Sequence, residues 1–196
     1  NLNKIYIYEG DEYSKYKLNI NNLDIKMYMT IDSFFGGNYN IMSDMYTIIY
    51  NQLKNLKYKN IILLGNDSAN ISVLLPNIYE KIFNIINNKK SYECAIKTIN
   101  NISNIYLKNG NDNLLKIISN NKINIICITT NNGLNDNEIN ILKKYNIKYI
   151  LYISSNIKNL TNDLFKLQKY KIRNIHSIDE YPFITKRFKI IALLKI

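Results

Sequence analysis

From residue 60 onward the chain carries short apolar runs that are continuous rather than alternating. Residues 60–64 (Asn60, Ile61, Ile62, Leu63, Leu64), 81–86, 123–128, 149–153 and 189–194 are apolar at nearly every position. Runs of this kind predict strands covered on both faces. Between them the apolar positions shift to helical spacing. Met42, Met45, Tyr46, Ile49, Leu53 and Leu56 predict a helix over residues 42–56. Residues 91–102, 135–145 and 161–169 predict three more. Asn135 or Asp136 can cap the helix over 135–145, and Glu138 then falls in its first turn. Strand and helix alternate, which predicts a doubly wound α/β sheet, mostly parallel, with helices on both faces. The core candidates are Ile61, Leu63, Ile85, Ile125, Ile126, Leu151, Ile153, Ile191 and Leu193.

Residues 1–30 follow a different pattern. Tyr6, Tyr8, Tyr13, Tyr16, Leu18 and Ile20, with Gly10 and Asp11 between them, predict a small N-terminal β-hairpin region appended to an α/β domain over 31–196. The Asn-rich stretch over residues 100–113 reads as surface loop. Neither a repeat nor a Pro- or Ser-rich linker interrupts the chain.

Composition narrows the picture. With 196 residues and 46% hydrophobic positions, the chain can bury one full core. Asn, Ile, Lys and Tyr dominate, as AT-rich codons dictate, so part of the lysine content reports the genome. The net charge is +11, from 26 Lys+Arg against 15 Asp+Glu. A field of that sign and size favours polyanions, nucleic acid first. Cys94 and Cys127 lie in apolar contexts without CxxC spacing, which predicts no metal site, no disulfide framework and a reducing compartment. No run of 18 apolar residues occurs, so no membrane span is predicted. The chain opens at Asn1 rather than Met and reads as processed or truncated, with any targeting peptide already removed.

Several short motifs occur in a fixed order. Tyr149-Ile150-Leu151-Tyr152-Ile153-Ser154-Ser155-Asn156 leads into a short helix holding Asn162-Asp163-Leu164. Lys169-Tyr170 follows at a corner, then Asp179-Glu180-Tyr181-Pro182. Upstream stand Ser33-Phe34-Phe35-Gly36-Gly37-Asn38 and Gly133-Leu134. Over roughly residues 27–196 this order resembles the catalytic domain of the RNA (uracil-5)-methyltransferase family. The resemblance implies a Rossmann-like class I methyltransferase fold, whose last strand, over 189–196, is antiparallel. It also implies a chemistry. A cysteine thiolate adds to C6 of uracil, C5 takes methyl from S-adenosylmethionine, and a base removes the C5 proton.

Residue by residue, that chemistry is altered here. The nucleophile position is Ser155, with no adjacent base to activate it. The carboxylate base falls at Phe188 or Lys189. The Asp-Pro-Pro-Arg element is Ile128-Thr129-Thr130-Asn131. At the cofactor positions stand Gly36, Leu63, Asp67, Ala69 and Asn87, where the family carries a glutamine, an acid before the loop, two glycines and a ribose-binding acid. An aspartate at 67 is expected to obstruct a cofactor. These losses predict a domain that keeps the fold, holds neither cofactor nor metal, and is not an enzyme. Its expected partners are RNA, rRNA in particular, and neighbouring ribosomal proteins, in an organellar (mitochondrial) ribosome. The RNA-binding candidates are Lys169, Lys171 and Arg173 at the corner, and Lys186, Arg187 and Lys189 near the base position, with Tyr181 and Phe183 able to stack on bases. Two other readings stay open. One is an active, divergent S-adenosylmethionine-dependent RNA uracil-5-methyltransferase. The other is a protein-interaction subunit without RNA contact.

Overall fold

The computed structural model describes residues 12–20, 23–30, 39–67, 69–110, 113–179 and 188–196. In chain order the elements are β1 (Ser14–Ile20), β2 (Leu23–Met29), α1 (Tyr39–Lys54), β3 (Asn60–Gly65), a 3-10 turn (Ser72–Leu74), β4 (Lys81–Ile86), α2 (Lys89–Thr98), β5 (Ile105–Asn109), α3 (Asn113–Asn120), β6 (Ile125–Thr129), α4 (Asp136–Tyr145), β7 (Tyr149–Ser154), α5 (Ile157–Lys166), β8 (Lys171–Asp179) and β9 (Phe188–Lys195).

Seven strands form one sheet in the order β5-β4-β3-β6-β7-β9-β8. The first five run parallel. β9 is antiparallel to both β7 and β8. The expected mostly parallel α/β sheet with an antiparallel last strand is therefore the observed fold. The chain winds outward from β3 to β5, returns to β6 and winds the other way, so the topology switches between β3 and β6.

Alternation of side chains along each buried strand builds the two layers. Ile61 and Leu63 of β3 join α1 and its Met42, Ile49 and Leu53 in one core cluster. Ile62 and Leu64 join α3, α4 and α5 in the other. Register carries the rows across the sheet: Leu63 pairs with Cys127, and Cys127 with Leu151. Each such apolar side chain taken from water contributes about 1.5–3 kcal/mol, which makes the paired rows the main stabilising element.

β1 and β2 form a separate antiparallel hairpin whose last pair, Ile20 with Leu23, flanks residues 21–22. Its Leu18, Ile20, Ile25 and Met27 pack into the same core cluster as α1. The turn expected at Gly10-Asp11 lies outside the described residues.

Four expectations need correction. Residues 105–109 form edge strand β5 rather than loop, and α3 begins four residues later. β8 lies where a corner was expected, exposed along most of its length. α5 starts at Ile157 rather than residue 161, because the Asn156 side chain accepts from Lys158 N and Asn159 N and caps it there. Leu193 is only half-buried, while Leu194 beside it is fully buried. Among the described residues no helix is long and apolar enough to cross a membrane.

Candidate functional site

In an open α/β sheet, ligands bind outside the carboxyl ends of the strands where the winding reverses. Here that place is the crevice above β3 and β6. Two adjoining cavities occupy it, about 200 and about 160 Å³, and both are lined by Asn66, Thr129, Thr130 and Asn132. The larger extends to Gly65, to Asn87 at the end of β4, and to Leu134 and Glu138 at the start of α4. Gly65 sets its floor. It has φ +144°, and a Cβ there would lie 2.4 Å from the Thr129 carbonyl oxygen. Only glycine satisfies both the dihedral and the approach of β3 to β6.

The loop after β3 is organised by its own side chains. Asn66 Oδ1 accepts from both Asn87 N (3.0 Å) and Asn88 N (2.9 Å), tying this loop to the end of β4. The Asp67 carboxylate turns inward and accepts from Ile71 N at 3.1 Å. Burial pushes its pKa up to about 6, opposed by the backbone N–H donors around it. Asp67 thus supports the loop from beneath instead of filling the crevice, contrary to the expected obstruction. Ala69 is buried and holds φ +68°. A non-glycine residue in this region costs about 1 kcal/mol, so the loop follows a glycine-like path without a glycine at this position.

The loops after β6 and β7 are joined to each other. Thr130 N donates to the Ile153 carbonyl (3.0 Å), and its hydroxyl donates to Gly133 O and accepts from Asn132 N. Asn131 Oδ1 accepts from Ser155 N (3.1 Å), and Asn131 O accepts from Asn159 Nδ2 (2.7 Å). Beneath them, Asp163 is buried and its Oδ2 accepts from Tyr152 OH (2.6 Å) and from Leu134 N (2.9 Å). Such charge-assisted bonds fix the loop that leads into α4. Burial, then the bond to Asp163, pushes the Tyr152 phenol well up. Burial also raises Glu138, which closes a capping box with Asn135.

The structure places the expected site residues as follows. Ser155 is exposed at the end of β7, beside Asn131 of the β6 loop. Ile128 is buried in β6 and also lines the crevice, while Leu63 belongs to the core. Phe188 is half-buried and Lys189 buried, both at the start of β9. Asn87 lines the crevice. Gly36, Lys186, Arg187, Tyr181 and Phe183 lie outside the described residues. Lys169, Lys171 and Arg173 are exposed but sit at the amino ends of the parallel strands or on edge strand β8, away from the crevice. His176 is hydrogen-bonded with Gln52 of α1 (3.0 Å), which leaves Ser155 without an imidazole partner. Both cysteines are buried, and burial raises the Cys127 thiol far above its usual range. Among the described residues no group of three or more His, Cys, Asp or Glu side chains could hold a metal ion. Sequence reasoning missed Asn66 and the Asp163–Tyr152 pair as organisers of the crevice. The motif Asn162-Asp163-Leu164 was the only available signal for the latter.

No protein-family model matches the chain. Two curated proteins are similar to it: an uncharacterized RNA methyltransferase of Clostridium acetobutylicum, 27% identical over 186 residues, and one of Nanoarchaeum equitans, 26% identical over 181 residues. Each match covers 91% of this chain but only 40% and 39% of the relative, so the chain spans about two fifths of their length. Among solved structures, the tRNA (uracil-54, C5)-methyltransferase of Pyrococcus abyssi in complex with S-adenosyl-L-homocysteine aligns at TM-score 0.73 and 18% identity, covering 95% of this chain and 45% of that one. Trm5 of Methanocaldococcus jannaschii in complex with adenosine aligns at TM-score 0.64 and 13% identity, covering 96% and 56%. At these identities the structures establish the fold.

One expectation is overturned by these findings. The chain was expected not to be an enzyme, yet the proteins similar to it over nine tenths of its length are named RNA methyltransferases. The altered motif residues depart from one particular chemistry, carried by a thiolate and a carboxylate. They do not remove the crevice, whose form depends on backbone and on neighbouring amides. The chain is similar in sequence to proteins named RNA methyltransferases and has the Rossmann-like class I methyltransferase fold.

Proposed function

We propose that this chain is the cofactor-binding domain of an S-adenosylmethionine-dependent RNA methyltransferase whose methyl acceptor is a nitrogen or oxygen of RNA. The observation that carries this reading is the crevice at the β3–β6 switch point, with Gly65 forced to remain glycine and Ala69 held at a glycine-like φ. The residues present suit a nucleoside. The lining is largely polar, made of the amides of Asn66, Asn87 and Asn132 and the hydroxyls of Thr129 and Thr130, with the Glu138 carboxyl at its edge. Asn87 lines the crevice at the position where the resembled family carries its ribose-binding acid. S-adenosylmethionine, when bound, supplies a methyl group activated on a sulfonium.

The choice of acceptor follows from the thiols. Methylation at C5 of uracil by the family route needs a cysteine to add to C6. This chain has two cysteines, Cys94 and Cys127, and both are buried. With the cofactor bound, a lone pair on nitrogen or oxygen would take the sulfonium methyl directly, the C–S bond breaking to leave S-adenosylhomocysteine and the acceptor's proton passing to water, so the protein would hold the two reactants in line. Ser155 and Asn131, exposed at the rim where the β6 and β7 loops meet, are placed to orient the acceptor. The +11 charge favours an RNA substrate, and rRNA of an organellar (mitochondrial) ribosome is the substrate and setting we assign.

The test is methyl transfer from labelled S-adenosylmethionine to rRNA and tRNA, with the product nucleosides identified by mass spectrometry. Labelled N- or O-methyl nucleosides are expected. No transfer by a protein that binds the cofactor would overturn the enzymatic reading, and 5-methyluridine would overturn the assignment of the acceptor.

A further inference from the structure

A second concave surface lies at the opposite end of the sheet, where the parallel strands begin. It encloses about 460 Å³ and is bounded by the last turns of α4 and α5 and by the end of β9. Its base is apolar and fixed. Leu142 and Leu167 are buried, and the Tyr170 hydroxyl is committed to the Ile147 carbonyl at 2.6 Å. Phe165 stands at its edge with 73% of its surface exposed, the largest exposure among the large hydrophobic side chains described. A phenylalanine so placed, next to a groove, marks a contact surface more than a packing residue.

The charged side chains that line the groove are all basic. Lys143, Lys166 and Lys169 line the groove, and no acidic side chain does. Asp136, nearby on α4, is committed to Lys166 at 2.8 Å. Lys169 reaches only the neutral Asn146, at 3.5 Å, and Lys143 is exposed. An apolar ring flanked by lysines, of which Lys166 is paired with Asp136 while Lys143 and Lys169 are exposed, matches the alternation of flat base and phosphate in a single-stranded nucleic acid. An apolar peptide would use the ring but gain nothing from desolvating three lysines. The chain's excess of 11 positive charges adds long-range attraction for the same partner.

We infer that this groove is a binding site for single-stranded RNA, with a base stacked on Phe165 and flanking phosphates held by Lys143 and Lys169. It is distinct from the crevice: β7, six residues or about 20 Å long, separates the two ends of the sheet. The site therefore holds RNA whether or not the crevice transfers a methyl group.

Fluorescence anisotropy with a labelled 12-nucleotide single-stranded RNA tests this on the intact chain, at several salt concentrations. Phe165→Ala is expected to weaken binding about 5-fold or more without changing the salt slope, and Phe165→Trp to restore it. The double variant Lys143→Glu/Lys169→Glu should weaken binding and make the slope shallower. Lys81→Glu/Lys108→Glu, at exposed positions near the other edge of the sheet, is the control and should have the smaller effect. Because the altered side chains are exposed, melting temperatures should stay near that of the parent chain, which separates lost contact from lost fold. Affinity unchanged in Phe165→Ala would leave the groove to a protein partner and overturn the proposal. A control as damaging as the groove pair would overturn it as well, by showing only diffuse charge.

Discussion

The two ends of the sheet solve different problems with the same strands. At the carboxyl ends the surface is rich in amides and hydroxyls and heavily cross-linked. Asn66, Asn131 and Asp163 each bridge segments far apart in the chain, so the crevice is shaped by hydrogen bonds that hold backbone in place. At the amino ends the surface is basic and loosely tied, with Phe165 and its lysines projecting into solvent. The first arrangement suits a small ligand that must be oriented. The second suits a long polyanion that is gripped at many weak points. The contrast also separates what each end tolerates. Changes at the crevice should cost stability, whereas changes at the groove should cost affinity alone.

The largest effect expected at the crevice end belongs to Gly65→Ala. The new Cβ would strike the Thr129 carbonyl, and φ would be unfavourable, for a combined loss of about 3 kcal/mol or more. Urea unfolding measures it, and a loss below about 1 kcal/mol would show that the β3 and β6 ends can part freely.

Asp163→Ala comes next. It leaves Tyr152 OH and Leu134 N buried without their acceptor and should destabilise by about 2–4 kcal/mol. Pairing it with Tyr152→Phe sharpens the comparison, because the double variant should lose less than the sum of the two single losses.

Asp67→Asn acts through pH. The folded pKa is raised to about 6, so the folded state binds the proton more tightly than the unfolded chain. That contribution is present below the unfolded carboxyl pKa and is lost as pH rises through the folded value, between about 4 and 6. An amide keeps an oxygen for Ile71 N and does not ionise. Thermal melts across this range should show Asp67→Asn with a flatter profile and a gain of about 1–3 kcal/mol at pH 7. Parallel pH profiles for the two proteins would show that Asp67 is better solvated than its burial indicates.

The smallest change in stability is expected at the other end, where Phe165→Ala should move the melting temperature hardly at all. A large shift there would mean that the ring packs the fold after all.

The fold was legible in the sequence where both faces of a strand are covered. β3, β4, β6, β7 and β9 are apolar at nearly every position because two helical layers press on them, and a strand without a wet face has no position to keep polar. β5 and β8 were missed for the opposite reason. Each lies at an edge, and Lys171 to Ile175 of β8 are all exposed, so no face imposes a pattern. α3 was hidden by the asparagines around it, although Leu114, Ile117 and Ile118 have helical spacing. In the site, the place of Ser155 at a strand end was readable from the motif order. The inward turn of Asp67 and the bridges made by Asn66 and Asp163 were not, because each joins residues that only the fold brings together. An obstruction at Asp67 would need its side chain to point into the crevice, whereas backbone donors draw it beneath the loop.

Calorimetric titration of the chain with S-adenosylmethionine tests the central claim most directly, with Asn66→Ala as its companion. Micromolar binding by the parent chain, weakened when the tie from Asn66 to Asn87 and Asn88 is cut, is the expected result. The absence of binding at high protein concentration, in a chain shown to be folded, would contradict a cofactor crevice between β3 and β6.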